Sequence, residues 1–204
     1  MDRTLQEIYD GFADTYEANR GLFDMRPVFD DFWARLGKPA GDALDLGCGA
    51  GEPFAKQFIE RGWRVTGVDF SQRMLQLAER YVPEMQRVHG DMDKVDFPPA
   101  SFDAVTAVYS LFHLPRERHP ALFASIRRWL RPGGKLLFTY ASRHYTGKDE
   151  FDGHIEFMGR RLFYSHDTPV RLREILAQAG FKIEDEALRE IGGETFLWLT
   201  ATAA

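Results

Sequence analysis

Hydrophobic positions along the 204-residue chain change their period near residue 43. Before it they recur at helical spacing. Leu5, Ile8, Tyr9, Phe12 and Tyr16 form one stripe behind a capping box of Thr4 and Glu7. Phe29, Phe32, Trp33 and Leu36 form a second, which Gly37 and Pro39 terminate. Beyond residue 43 the short apolar runs "ALDL", "RVTGV", "QRV", "FDAVTAVY" and "GKLLFTYA" alternate with helical patterns, as in a parallel sheet with crossover helices. Ser71 caps the helix "QRMLQLAERY", and Pro115 opens one that runs to "RPGG". Thr168 with Pro169 starts another that stops at Gly180, with Leu172, Ile175, Leu176 and Ala179 as its inner stripe. The last two runs, "FKIEDEAL" and "ETFLWLTAT", are parted only by the turn residues Gly192 and Gly193. No crossover fits there, so they pair antiparallel. The expected fold is a doubly wound α/β core in a single domain.

Composition narrows the class. Apolar residues are 44% and charged residues 28% of the chain, which excludes a disordered chain. The longest apolar run, Ala104 to Phe112, is far short of a membrane span, and "MDRTLQEIYD" lacks signal-peptide character, so a cytoplasmic location is expected. Cys48 is the only cysteine, which leaves neither a disulfide framework nor a thiol cluster for zinc, and no metal is expected. The net charge is −5 with its basic residues dispersed, so the expected partner is a small molecule, not nucleic acid or a membrane. "RRWLRPGGK" is the densest basic stretch, and its arginines belong to a solvated helix face.

The candidate chemistry begins in "ALDLGCGAGEP", residues 43 to 53, where a strand runs into Gly47, Gly49 and Gly51. A ligand at the carboxyl end of that strand meets bare backbone there. A pyrophosphate loop reads G-x-G-x-x-G, whereas this one reads G-x-G-x-G, with Asp45 before it and Glu52 at the helix opening. Those carboxylates repel a dianion and favour a cation, although Glu52 alone also complements a helix dipole. Asp69 ends the second strand, where an acid accepts both hydroxyls of a ribose, and Phe70 is placed to lie on a purine. Asp91 follows the third strand, positioned for an exocyclic amine, with the Met92 backbone for a ring nitrogen.

"LDLGCGAG", "VTGVDFS", "HGDM", "FDAVTAVYSLFHL" and "LRPGGKLLFTYA", in this order, resemble the successive motifs of the class I S-adenosylmethionine-dependent methyltransferases, of the small-molecule, type 11/25-like branch. The resemblance implies a Rossmann-like seven-stranded sheet in the order 3-2-1-4-5-7-6, helices on both faces and an antiparallel last strand. It implies S-adenosylmethionine as cofactor and S-adenosylhomocysteine as product. By it, Gly47 and Gly49 meet the methionyl end, Asp69 the ribose, and Asp91 with Met92 the adenine. Tyr109 and Ser110 line the transfer point. Cys48 fills space beside the glycines. Tyr9 and Tyr16 belong to an N-terminal lid, residues 1–40, and residues 141–167 form a long aromatic and polar loop on the substrate side, anchored by Phe151, Phe157, Phe163 and Tyr164. His113 is the first candidate base, followed by His144 and His166, and a base is needed only if the nucleophile arrives protonated. The spacing of His144, His154 and His166 fits no compact metal site. "YSLFHL" stands where enzymes methylating DNA bases or a release-factor glutamine carry an asparagine-proline-proline-aromatic run. The expected activity is methyl transfer to O, N or S of a small acceptor by a monomer or homodimer. The rivals are an NAD-type oxidoreductase, disfavoured by the glycine spacing, and a non-catalytic cofactor-binding sensor.

Overall fold

The computed structural model describes residues 10, 11, 13, 15, 24–157 and 159–204. Helix α1 (Arg26–Leu36) ends where Gly37 turns left-handed at φ 64°. Then follow β1 (Asp42–Leu46), α2 (Phe54–Glu60), β2 (Arg64–Asp69), α3 (Gln72–Tyr81), β3 (Gln86–His89) and β4 (Phe102–Ala107). Two 3₁₀ turns, Leu111–His113 and Arg116–Arg118, lead into α4 (His119–Trp129) and β5 (Leu130–Tyr140). The chain continues through α5 (Arg143–Thr146), β6 (Phe151–Phe157), β7 (Arg160–His166), α6 (Pro169–Gln178), β8 (Phe181–Ile191) and β9 (Glu194–Ala203).

Seven strands form one sheet in the order β3-β2-β1-β4-β5-β9-β8. Once β6 and β7 are set apart, this is the expected 3-2-1-4-5-7-6. The first five are parallel, and β9 runs antiparallel to both β5 and β8. Every residue of β4 is buried, because a central parallel strand is covered on both faces. Strand alternation sends Leu136 and Phe138 of β5 into one apolar layer and Leu137 into the other. The first layer receives Phe123, Ile126 and Trp129 of α4 with Leu172 and Leu176 of α6. The second receives Phe29 and Phe32 of α1, Phe58 of α2 and Leu75 of α3.

Two local expectations are corrected. Pro115 does not open α4; it precedes a 3₁₀ turn, and the helix starts at His119 with Pro120 in its first turn. Residues 141–167 are not a long loop. They fold into α5 and the antiparallel β6–β7 hairpin, because "FDGHIEF" alternates strictly, with Phe151, Gly153, Ile155 and Phe157 half-buried and the residues between them exposed. Arg116 ties this hairpin to the core, donating to Glu150 at 2.7 Å, Asp152 at 2.6 Å and Asp167 at 3.3 Å. The caps at Ser71 and Thr168 form as expected, accepting from the amides of Met74 and Arg171.

The N-terminal stripe, including Tyr9 and Tyr16, lies outside the described residues. Of that segment, Ala13 packs against Ala50, Met74 and Leu77, and Asp10 accepts from the Ser71 hydroxyl at 2.5 Å. The basic stretch "RRWLRPGGK" is engaged within the fold: Arg127 donates to the Gly180 carbonyl, Arg128 pairs with Asp96, and Arg131 pairs with Asp42. Among the described residues no helix is long and apolar enough to cross a membrane.

Candidate active site

The order of the parallel strands reverses between β1 and β4, and in such sheets a crevice opens beyond their carboxyl ends. A cavity lies there, with Gly47, Gly49, Asp69, Ser110, His113 and Tyr164 among its lining. The glycine junction forms its floor. Gly47 and Cys48 donate their amides to the Val68 carbonyl at 2.8 and 3.0 Å, binding the loop to β2. Each glycine answers a different constraint. At Gly47, φ 74°, an added Cβ would stand 2.3 Å from Ser110 Cβ. At Gly51 it would stand 2.8 Å from Val82, so that residue serves packing against the end of α3. At Gly49, φ 53°, a Cβ would meet nothing within 4 Å, and the missing side chain leaves backbone open to a ligand.

Two buried carboxylates stand beside this floor. Asp69 accepts the Gly49 amide on one oxygen and the Ser71 amide on the other, both at 2.8 Å. It therefore fixes the loop, and each oxygen keeps acceptor capacity for a further donor. Asp45 accepts from the Thr106 hydroxyl at 2.6 Å. Burial pushes both carboxyls up to about 6. Cys48 also lines the cavity, but burial raises its thiol, as expected for a space-filling side chain.

Over the ends of β4, β5 and β9 the lining turns aromatic. Tyr109 holds an unusual φ of 52°, with its amide donating to Thr139 Oγ1 at 2.6 Å. Its ring stands edge-on to Phe196 and Trp198. Ser110 donates to the Leu46 carbonyl at 2.7 Å, crossing over Gly47. His113 is buried, with Nδ1 2.7 Å from the Phe163 carbonyl. A carbonyl only accepts, so Nδ1 carries the proton and the ring lone pair lies on Nε2. Burial lowers this imidazole to about 4.

Of the sequence-predicted residues, Asp45, Gly47, Cys48, Gly49, Asp69, Phe70, Met92, Tyr109, Ser110 and His113 meet in this cavity. Gly51 and Asp91 are not part of its wall. Asp91 instead accepts from Lys94 at 3.2 Å, raised by burial and the neighbouring Asp93. His144 and His166 do not reach the cavity either. His144 is exposed on α5, and His166 is buried with Nε2 2.7 Å from Thr146 Oγ1. Tyr16 lies outside the described residues. The residues missed include Glu194 and Phe196, delivered by the start of β9, together with Met25, Phe54, Met74, Phe112 and Leu162.

A methyltransferase-domain family profile matches residues 43–134. A demethylmenaquinone methyltransferase of Lactobacillus johnsonii is 32% identical over 179 residues, covering 74% of this chain and 72% of that protein. The chain belongs to the class I S-adenosylmethionine-dependent methyltransferases. A solved structure of Burkholderia thailandensis 1,6-didemethyltoxoflavin-N1-methyltransferase, with S-adenosylhomocysteine bound, has a TM-score of 0.72 at 26% identity. It covers 96% of this chain and 86% of its own. The [4+2]-cyclase SpnF has a TM-score of 0.74 at 19% identity, covering 98% and 96%, so the fold by itself does not decide the activity. This methyltransferase spans 54% or less of the length of several other curated relatives.

The residues present fit the cofactor. S-adenosylmethionine carries a sulfonium and an ammonium against one carboxylate and no phosphate. The floor offers open backbone at Gly49 between Asp45 and Asp69, and no lysine or arginine lines the cavity among the described residues. A pH dependence follows from the two carboxyls near 6. Their folded-state values exceed the ordinary 3.8. Their contribution to stability is therefore complete below 3.8 and lost as pH rises through about 6. The buried imidazoles of His113 and His119, both lowered to about 4, act in the opposite sense over the same range, since each must stay unprotonated in the folded chain. Cationic S-adenosylmethionine should in turn gain affinity over neutral S-adenosylhomocysteine as pH rises through about 6, on the order of tenfold. Calorimetric titration of both at several pH values measures the ratio; a ratio constant with pH removes Asp45 and Asp69 from charge recognition.

Proposed function

We propose that this methyltransferase carries the methyl group of S-adenosylmethionine to an oxygen, nitrogen or sulfur of a small, flat acceptor by in-line displacement. One observation carries the reading: a single cavity runs from the Gly49 backbone and Asp69 to the ring wall of Tyr109, Phe112, Tyr164 and Phe196. Bound at the first end, the cofactor supplies a methyl group activated on sulfur. Asp69 and the open Gly49 backbone hold it, Phe70 and Met92 flank its adenosyl end, and Ser110 braces the loop through the Leu46 carbonyl. Asp91 contributes at the adenine only through its neighbour Met92 or a shift of the Lys94 pair. At the second end the ring wall excludes water and fixes the direction of attack, which supplies much of the acceleration in a displacement at carbon.

His113 is the proposed proton acceptor for a nucleophile that arrives protonated, because among the three candidate histidines it alone lines the cavity. With Phe163 holding Nδ1–H, the ring presents Nε2 in one tautomer. Of the expected cover 1–40, α1 belongs to the core through Phe29 and Phe32, and the proposed covering contacts are Asp10, docked at the start of α3, and Met25 on the cavity wall. The insert 141–167 roofs the acceptor end through Phe157, Leu162 and Tyr164.

Formation of S-adenosylhomocysteine with a panel of small ring-bearing phenols, thiols and amines tests the activity. Turnover of at least one acceptor is expected. Tight cofactor binding without turnover across the panel would favour the non-catalytic binder. For an acceptor with a protonated nucleophile, His113→Ala should lower kcat by about tenfold with little change in cofactor affinity, less than a base titrating near neutrality supplies because burial holds this imidazole near 4. An unaltered rate removes His113 from proton transfer.

A further inference from the structure

The acceptor end of the cavity carries a carboxylate to which no role has yet been given. Tyr140, the last residue of β5, pairs with Leu197 of β9, so Glu194, Thr195 and Phe196 run on past the end of β5. Parallel strands bring their last residues to the ligand edge of the sheet; an antiparallel strand brings its first. Glu194 is thereby set on the cavity wall, three strands away from β1 and the glycine junction. It is half-buried beside the Tyr145 hydroxyl, and burial raises its carboxyl above the ordinary range.

The surface around it is a stack of rings. Phe112 lies between Tyr164, at 5.1 Å and 10° between planes, and Phe196, at 4.9 Å and 17°. Tyr145 closes on Phe196 at 4.4 Å. These rings cover one another's faces and are almost fully buried, so they form an apolar wall that keeps water from Glu194. The other carboxylates on the wall have other work. Asp45 and Asp69 flank the glycine floor, and Glu52 pairs with Lys56 at 3.0 Å. No lysine or arginine lines the cavity among the described residues. An anionic acceptor would be repelled there, and a neutral one would bury Glu194 further with no counter-charge, which is costly.

We infer that the acceptor is a flat ring system bearing a positively charged nitrogen that pairs with Glu194 as its recognition handle, with the apolar body of the ring against the wall that Phe112, Tyr164 and Phe196 form. The inference rests on the methyltransferase reading of this cavity and adds the charge class of the acceptor. The charged nitrogen is the group held, and the attacking atom is another, carrying a free lone pair toward the cofactor end.

Three ring probes of similar shape test it: 4-aminoquinoline as the cation, 1-naphthol as the neutral ring and 1-naphthoate as the anion. Each is titrated by calorimetry at neutral pH into the protein saturated with S-adenosylhomocysteine. The cation should bind at least roughly tenfold more tightly than the anion. Glu194→Gln should abolish the preference of cation over neutral ring. Its affinity for S-adenosylhomocysteine, three strands away, should stay within about twofold, and this also certifies the fold. Wild type that binds S-adenosylhomocysteine but prefers the anion, or shows no charge preference, overturns this inference alone. The same holds for a preference that survives Glu194→Gln. Wild type that binds no S-adenosylhomocysteine overturns the proposed function and this inference with it.

Discussion

Gly47→Ala is expected to unfold at a markedly lower denaturant concentration than wild type and to bind S-adenosylhomocysteine at least roughly tenfold more weakly. Two effects add. Residue 47 holds φ 74°, where an L-side chain costs about 1–2 kcal/mol. The new methyl would also stand 2.3 Å from Ser110 Cβ, a distance no packed pair tolerates. Ser110 has little freedom to yield, since its hydroxyl is bound to the Leu46 carbonyl and its backbone follows β4. Overpacking of this kind costs about 1–3 kcal/mol. The sum, about 2–5 kcal/mol, corresponds to a fall on the order of 10 °C in melting temperature. Gly49→Ala separates the effects, because it shares the positive φ and meets no neighbour. It should keep most of the stability and still lose cofactor affinity, since its methyl enters the floor of the cavity. Equal stability loss in the two variants would contradict the assignment of Gly47 to the Ser110 crossing.

Asp69→Asn should be nearly as damaging as Asp69→Ala, against the usual mildness of that exchange. Both carboxylate oxygens accept backbone amides, from Gly49 and Ser71. Alanine leaves two donors without a partner, at about 1–3 kcal/mol each. Asparagine satisfies one and sets its NH₂ donor against the other amide. Both variants should also lose cofactor affinity by a factor of roughly ten or more, because the Gly49 amide then no longer holds the loop in place and a charged acceptor for the ribose is gone. Equilibrium unfolding with calorimetry on each variant decides it. Wild-type stability in Asp69→Asn would show that the carboxylate does not organise the loop.

What could be read from the residues alone was whatever local chemistry demands. Left-handed turns require glycine, so "GCGAG" announces a strand-to-loop junction. A β4 sequence without a charged residue in its interior beyond Asp103 announces a central strand. Acids at successive strand ends announce a nucleoside site, and Asp69 and Asp45 do converge on the glycine floor. The hairpin β6–β7 was present as a period of two, but Asp152, His154 and Glu156 gave it the texture of a loop, because its exposed face has no covering layer. Sequence alone sets His166 among other aromatics of an insert, as a site residue would be, whereas β7 buries it against Thr146, off the cavity lining. Glu194 had no local signature at all. Its place on the wall depends on the register of β9 against β5, a relation between residues far apart in the chain.

A crystal structure of the protein grown with S-adenosylhomocysteine tests the cofactor site most directly. Density is expected along the crevice beyond β1, with the homocysteine end over Gly47 and Gly49, the ribose against Asp69 and the sulfur directed toward Tyr109 and His113. A crevice closed by side chains, or the ligand bound elsewhere, would contradict it.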